Sequence, residues 1–279
     1  MRNKNKMKIT VVFTCFNRKS KTLECVRRLI EGNQEIEFQF VIVDDGSTDG
    51  TKTALKESEY ADKIELIESG GNCYYSGGTH LGMMHVLENQ EKADYLLMVN
   101  DDVSFYENSI ENLIRQSKKQ GNAVVVGSTC DDHGEQTYGA VLYISKYSVK
   151  YRAVKAGEKV ECDTFNANCV LIPYSAFEKA GAMDGHYVHA LGDFDYGLSL
   201  KKTGTKIFSS EAFVGECNRN SAKGTWLDTS LPLKQRLCLK ESPKGAPAKQ
   251  WFYFLKKNFG PGKAMVFTIT PYIKMLLGR

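Results

Sequence analysis

A chain of 279 residues with 42% hydrophobic and 25% charged residues has an ordinary globular composition, with room for one large α/β domain or two small ones. A formal net charge of +4 is too mild to indicate nucleic acid, and no apolar run reaches the roughly 18 residues of a membrane-spanning helix. The charge is uneven, however: from Lys234 onward ten Lys or Arg accompany one acid, Glu241. Eight cysteines form no C-x-x-C pair and no zinc-type cluster with His. Most lie in apolar runs, which reads as reduced, buried thiols in a cytoplasmic protein. The N-terminal M-R-N-K-N-K-M-K has no apolar stretch of signal-peptide type.

In chain order, Lys8 to Phe13 is predicted to be a strand, followed by a polar turn at Thr14 to Arg18. A helix over Lys19 to Glu31 is marked by Leu23, Val26, Leu29 and Ile30 at helical spacing. Phe38 to Val43 is almost continuously apolar, as a strand covered on both faces should be. It ends in Asp44-Asp45-Gly46-Ser47-Thr48-Asp49, before a helix to about Tyr60. A short strand at Ile64 to Glu68 leads through a glycine-rich loop, 69–78, into a helix ending near Asn89. Tyr95 to Val99 is the fourth strand, and it stops abruptly at Asn100-Asp101-Asp102. Right-handed βαβ crossovers place all these loops on one edge of a parallel sheet, where ligands bind. Adjacent carboxylates there suit a divalent cation such as Mg²⁺ or Mn²⁺, although the same residues also make good helix caps and Asx turns. Neither G-x-G-x-x-G nor a P-loop is present.

Further on, Asn108 to Lys119 reads as a helix and Ala123 to Gly127 as a strand. Residues 128–160 are short, polar, Tyr-rich, β-prone pieces that suggest a hairpin carrying acceptor contacts. Phe165 to Pro173 reads as one buried strand, Ser175 to Ala180 as a helix, Tyr196 to Lys202 as another, and Lys206 to Ser209 as a last strand. Asn218 to Thr225 is a polar loop of the kind that closes over ligands. The tail breaks at Ser242 to Pro247, and then Trp251 to Leu255 meet Lys249, Lys256 and Lys257. Aromatic residues beside lysines suit a bilayer interface; a helical hairpin packed on the body, or a homodimer contact, are the alternatives.

Four motifs, T-C-F-N-R at 14–18, V-D-D-G-S-T-D-G-T at 43–51, G-N-C-Y-Y-S-G-G-T-H-L-G at 71–82 and N-D-D-V at 100–103, stand in the order and spacing of one known family. Over about residues 7 to 215 the chain resembles family 2 glycosyltransferases of the GT-A fold, in particular those of bacterial surface-polysaccharide synthesis. The resemblance implies a Rossmann-like, mixed but mostly parallel sheet with helices on both faces. It divides the chain into a catalytic domain, 1–215, whose halves 1–105 and 106–215 bind nucleotide-sugar and acceptor, and a lid and basic aromatic helical tail, 216–279.

By the same resemblance, Thr14, Asn17, Arg18, Asp44 and Asp45 hold the nucleotide, and Asn72, Ser76, Gly77 and Gly78 belong to the loop beside the donor sugar. Asn100 and Asp101 match the start of the family's D-x-D, and Asp102 its metal-binding carboxylate. Asn100 departs from the pattern, supplying an amide where the family has a charge. Asp193 in A-L-G-D-F-D matches the general base that accepts the acceptor's proton, with Gly192 where the family has Glu. The implied activity is metal-dependent inverting transfer from a UDP- or dTDP-sugar to a hydroxyl of a glycan or lipid-linked saccharide in capsule or O-antigen synthesis. The implied setting is the cytoplasm, with the tail 234–279 peripheral on the inner face of the membrane. The rivals are a nucleotidyltransferase, which would need a glycine- and basic-rich loop after strand one, and a non-catalytic protein of the same fold.

Overall fold

The computed structural model describes residues 6–89 and 92–278; the first five residues of the N-terminal basic segment and Arg279 of the tail lie outside it. The first half is built from β1 (Met7–Cys15), α1 (Lys19–Glu31), β2 (Ile36–Asp44), α2 (Thr51–Lys56), β3 (Ile64–Glu68), α3 (Tyr74–Asn89) and β4 (Tyr95–Val99). The second half adds β5 (Ser104–Phe105), α4 (Ser109–Lys119), β6 (Val124–Cys130), β7 (Ala140–Tyr143), β8 (Tyr151–Ala153), β9 (Thr164–Phe165) and β10 (Cys169–Pro173). It continues with α5 (Tyr174–Ala180), α6 (Gly192–Lys202), β11 (Ile207–Glu216), α7 (Leu233–Glu241), α8 (Ala248–Phe259) and α9 (Pro261–Leu276).

Eight strands form one sheet in the order β3-β2-β1-β4-β10-β6-β11-β5. β3, β2, β1 and β4 are mutually parallel, β10 runs antiparallel between β4 and β6, and β11 returns parallel to β6. Side chains alternate across β1: Ile9, Val11, Phe13 and Cys15 join a core with Val26 and Leu29 of α1 and Leu113 of α4. Val12 faces the opposite core with Met83 and Val86 of α3, Phe177 of α5 and Leu200 of α6. Helices therefore cover both faces, which is why β2 and β4 read as nearly unbroken apolar runs. The strand order reverses between β1 and β4, and the loops leaving those two strands diverge there to form a crevice.

Several boundaries differ from the sequence expectation. α2 ends at Lys56 rather than near Tyr60. α3 begins at Tyr74, so Ser76, Gly77 and Gly78 lie within a helix and not in a loop. The reason is close packing: a Cβ at Gly78 would fall on the Thr14 side chain of β1, so the glycine lets the helix approach the sheet. The expected single strand 165–173 is two, β9 and β10, separated by Asn166–Asn168. The hairpin expected in 128–160 is β7–β8, and β9 extends it into a three-stranded sheet.

The tail also differs. α8 is docked on the catalytic body: Phe254 and Leu255 are buried with Tyr187, Leu191, Phe194 and Leu198. Lys257 donates to Asp184 (2.8 Å) and Asp195 (2.6 Å), and Asn258 also donates to Asp195 (2.7 Å). The aromatic run over Trp251–Leu255 thus serves a protein contact, as the packed-hairpin alternative held. α9 is different, exposing Met265, Val266, Ile269, Ile273 and Leu276. Among the described residues no helix is long and apolar enough to cross a membrane.

Candidate active site

The crevice above the β1 and β4 ends opens into a cleft of about 840 Å³. Its floor is acidic. β4 delivers Asn100, Asp101 and Asp102, all lining the cleft, and the Arg18 guanidinium, at the start of α1, lies between the two carboxylates. Nη1 of Arg18 is 3.0 Å from an oxygen of Asp101 and 3.0 Å from one of Asp102. Asp101 is buried, and its second oxygen accepts from Thr22 Oγ1 (2.9 Å). Burial raises its pKa despite the neighbouring Arg18 and the Thr22 bond. Asp102 is more open, and its second oxygen faces the Cys217 thiol at 3.7 Å. Burial, and then the charge of Asp102, push that thiol up to about 12, so it stays a neutral donor rather than a nucleophile.

The loop after β2 is used differently from its partner. Asp45 lines the cleft, but its oxygens accept from Ser69 Oγ (2.7 Å), the Cys73 amide (2.9 Å) and the Tyr74 amide (2.8 Å). It therefore ties the glycine-rich loop and the start of α3 to β2. Asp44 is buried and accepts from the Ser47 amide (2.9 Å). Asn17 takes a left-handed backbone (φ 50°) and accepts from the Thr48 amide (2.7 Å), stapling the first loop to the second.

Of the residues singled out from the sequence, Thr14, Arg18, Asp45, Asn72, Asn100, Asp101, Asp102 and Asp193 share the cleft wall. Asn17, Asp44, Ser76, Gly77 and Gly78 do not line it; they shape the loops and helix that do. Ser76, for instance, is buried and donates to the His189 carbonyl (2.7 Å).

Across the cleft, Leu191 in a left-handed conformation (φ 72°) turns the chain into α6, whose first turn carries Asp193. Its oxygens accept from the Phe194 amide (2.8 Å) and the Ala167 amide (3.3 Å). Burial nevertheless outweighs these bonds and raises its pKa from 3.8 to about 6. A carboxylate so tuned is a better proton acceptor near neutrality than an ordinary Asp. Gly192 has a local reason: a Cβ there would lie 2.5 Å from Ser76 Oγ and 2.7 Å from Met183 Sδ, so no side chain fits. Asp195, two residues on, is 1% exposed and pairs with α8 instead of the cleft.

Sequence reasoning reaches the wall beside Asp193 only in part: it expects a Tyr-rich hairpin with acceptor contacts but misses the share of α6 and α8. Tyr143 and Tyr151 of the β7–β8 hairpin, Phe194 of α6, and Trp251 and Phe254 of α8 all line it. Tyr151 meets Phe194 edge-on at 5.3 Å. The signal for α8 was present as Trp251, Phe254 and Leu255 at helical i, i+3, i+4 spacing, one apolar face that must be covered.

The acidic pair bears on whether a divalent cation could sit here. Among the described residues no group of three or more His, Cys, Asp or Glu could hold a metal. Mg²⁺-type sites need only one or two protein carboxylates, completed by ligand phosphates and water. Arg18 already lies where such a cation would be attracted, so Asp102, backed by Asp101, fits the group.

A doubly covered sheet with acid-ended strands at its switch point, and a facing carboxylate on α6, defines an α/β protein of GT-A architecture. The profile of glycosyl transferase family 2 matches residues 10–179, and the chain belongs to that family. It is 24% identical over 151 residues to the low-salt glycan biosynthesis hexosyltransferase Agl10 of Haloferax volcanii, a match covering 52% of this chain and 48% of that protein. The chain thus spans about half the length of the curated relative it matches. Among solved structures, the mannosyltransferase PcManGT from Pyrobaculum calidifontis, in complex with GDP-Man and Mn²⁺, superposes with a TM-score of 0.59 at 11% identity. That match covers 99% of this chain and 74% of PcManGT. S. aureus TarS 1-349 superposes with a TM-score of 0.56 at 12% identity, covering 96% and 81% of the two chains. At such identities the likeness is one of fold.

Proposed function

We propose that this protein is an inverting glycosyltransferase that moves a hexosyl group from a nucleotide-sugar to an acceptor hydroxyl. The observation that carries the reading is Asp193. A carboxylate with its pKa near 6 faces the cleft beside an aromatic wall, while the acid pair and Arg18 lie at the switch point. A sugar hydroxyl is a poor nucleophile, so Asp193 accepts its proton as the oxygen attacks the anomeric carbon from the side opposite the leaving group. Amides of Ala167 and Phe194 orient the carboxylate for that attack. Tyr143, Tyr151 and Trp251 shelter the reacting centre from water and present aromatic faces to the acceptor.

At the other end of the cleft, Asp102 and Asp101 would hold a divalent cation, Mn²⁺ or Mg²⁺. When bound, that ion would neutralise charge on the departing nucleoside diphosphate. The complex of PcManGT with GDP-Man and Mn²⁺ supports a metal and a nucleotide-sugar here; a UDP- or dTDP-sugar is the donor that the family resemblance implies. In this reading residues 1–215 are the catalytic domain and 216–279 the lid and tail. Ser76, Gly77, Gly78, Asn17 and Asp44 act by shaping the donor loops.

The acceptor is a glycan, and we place it on a lipid carrier at the inner face of the membrane. Support comes from α9, whose apolar residues Met265, Val266, Ile269 and Ile273 are exposed, in a tail that carries ten Lys or Arg from Lys234 onward. The stereochemistry provides the test. Transfer from an α-linked donor should give a β-linked product by NMR, and an α-linked product would refute single displacement through Asp193.

A further inference from the structure

The charged side chains lining the cleft are Asp45, Asp101, Asp102, Asp193, Arg18 and Lys244. Five of the six have bonded partners. Asp45 accepts three hydrogen bonds, Asp193 accepts two, and Arg18 bridges Asp101 and Asp102. Lys244 has none: among the described residues it makes neither an ion pair nor a hydrogen bond. A solvated lysine on a convex surface would need no explanation. Lys244 is exposed but lines the concave wall of the cleft, on a turn tied down by the residues on either side of it.

That turn is the 3₁₀ segment Pro243–Gly245. The preceding Lys240 is only 2% exposed. Its ammonium donates to the Ala246 carbonyl and lies over the rings of Trp226 (5.7 Å) and Tyr272 (5.4 Å). Burial lowers the pKa of this lysine, an energetic penalty for holding the turn there. Glu241 accepts from the Ala248 amide (3.1 Å) and from the Tyr272 hydroxyl. Gly245 packs against the Leu239 and Lys240 carbonyls where no Cβ fits. Two consecutive charged residues of α7 and a glycine thus fix the position of the next lysine.

The charge of Lys244, after burial itself, keeps the His189 imidazole below its usual pKa. The His189 ring sits edge-on to Tyr74 (6.1 Å) and Tyr75 (6.5 Å), the first residues of α3. Lys244 and His189 line the same cleft as Tyr74 and Tyr75, close enough for the lysine charge to act on the imidazole.

We propose that Lys244 is an anion-binding residue that receives a diphosphate in the cleft. With Arg18 held by the acid pair, it is the uncommitted cation among the described residues lining the cleft, and a charge-assisted bond from an ammonium carried on a fixed turn favours a polyanionic ligand. The proposal rests on the nucleotide-sugar reading. The diphosphate has two chemical sources: the donor, or the carrier of a diphosphate-linked acceptor.

The test uses the full chain with Lys244→Met and Lys244→Arg, after confirming unchanged melting temperatures. Titration calorimetry with UDP, GDP and the matching monophosphates, in Mn²⁺, reads the donor side. The expected result is a roughly tenfold loss of diphosphate affinity in Lys244→Met, a change below about twofold for monophosphates, and recovery in Lys244→Arg. If diphosphate affinity is unchanged, the KM for a diphosphate-linked acceptor should rise at least about fivefold, with no rise for the same glycan lacking it. Failure of both effects overturns the role of Lys244 while leaving the nucleotide-sugar reading intact. A wild-type protein that binds no diphosphate overturns both.

Discussion

Replacing Asp193 by Asn separates catalysis from stability. Ionised Asp193 is held in a site that raises its pKa from 3.8 to about 6. At about 1.4 kcal/mol per pH unit, ionisation above pH 6 therefore costs the folded state about 3 kcal/mol. The sign follows from proton counting. Below pH 3.8 the carboxyl is neutral in both states, so it contributes nothing to the pH dependence. Between pH 3.8 and 6 the folded chain keeps a proton that the unfolded chain has released, so stability falls as pH rises through that window. Asn carries no such penalty, but it keeps one acceptor where the carboxylate offers two amides a partner, a loss of about 1 kcal/mol. The net expectation at pH 8 is a gain of about 2 kcal/mol, or about 3 °C in Tm for a chain of 279 residues. At pH 4 the gain should vanish. Meanwhile kcat should fall by about 10²- to 10⁴-fold, and wild-type kcat/KM should drop about tenfold per pH unit below pH 6. Thermal scans at both pH values and steady-state transfer assays read the two effects. A variant that keeps most of its turnover, or that melts earlier at pH 8, refutes Asp193 as a desolvated base.

Three other outcomes follow from particular contacts. Arg18→Gln removes the cation that competes at Asp102, so Mn²⁺ binding without nucleotide, followed by electron paramagnetic resonance, should tighten by about tenfold; unchanged or weaker binding would place the metal elsewhere. Gly192→Ala drives a Cβ into Ser76 and Met183 and should cost about 1 to 3 kcal/mol in denaturant unfolding; a neutral effect would mean that α6 can shift away from α3. Ile269→Asn with Ile273→Asn on exposed α9 should leave Tm unchanged but weaken sedimentation with phosphatidylglycerol vesicles at least about tenfold. Undiminished vesicle binding would remove α9 from the membrane reading.

The first half of the fold was legible because its signals are local. Apolar runs at 38–43 and 95–99, each closed by acids, needed no knowledge of distant residues to be read as buried parallel strands. Asp193 was legible only through a motif, since its altered pKa depends on burial created by the whole fold. What stayed hidden were the contacts that only tertiary structure creates. Asp45 looks like a free ligand in D-D-G-S, yet it faces amides 28 and 29 residues away. Asp195 and Lys257 are 62 residues apart, and nothing near either one marks their pairing. The W-F-Y-F run suggested a bilayer because composition alone does not say which side of a helix is covered. Lys244 is invisible for the same reason, its meaning lying in the absence of a partner.

The central claim, a nucleotide-sugar site completed by a divalent cation at Asp102, is tested most directly by thermal stability. The unaltered protein and Asp102→Ala would be melted against a panel of nucleoside diphosphates, with and without Mn²⁺. A ligand that binds only the folded state raises Tm by mass action, by about 2.7 kcal/mol of stability at a hundredfold excess over Kd. The account predicts stabilisation by one nucleotide that requires Mn²⁺ and is lost in Asp102→Ala. Stabilisation that persists in Asp102→Ala, or no shift with any nucleotide, would contradict it.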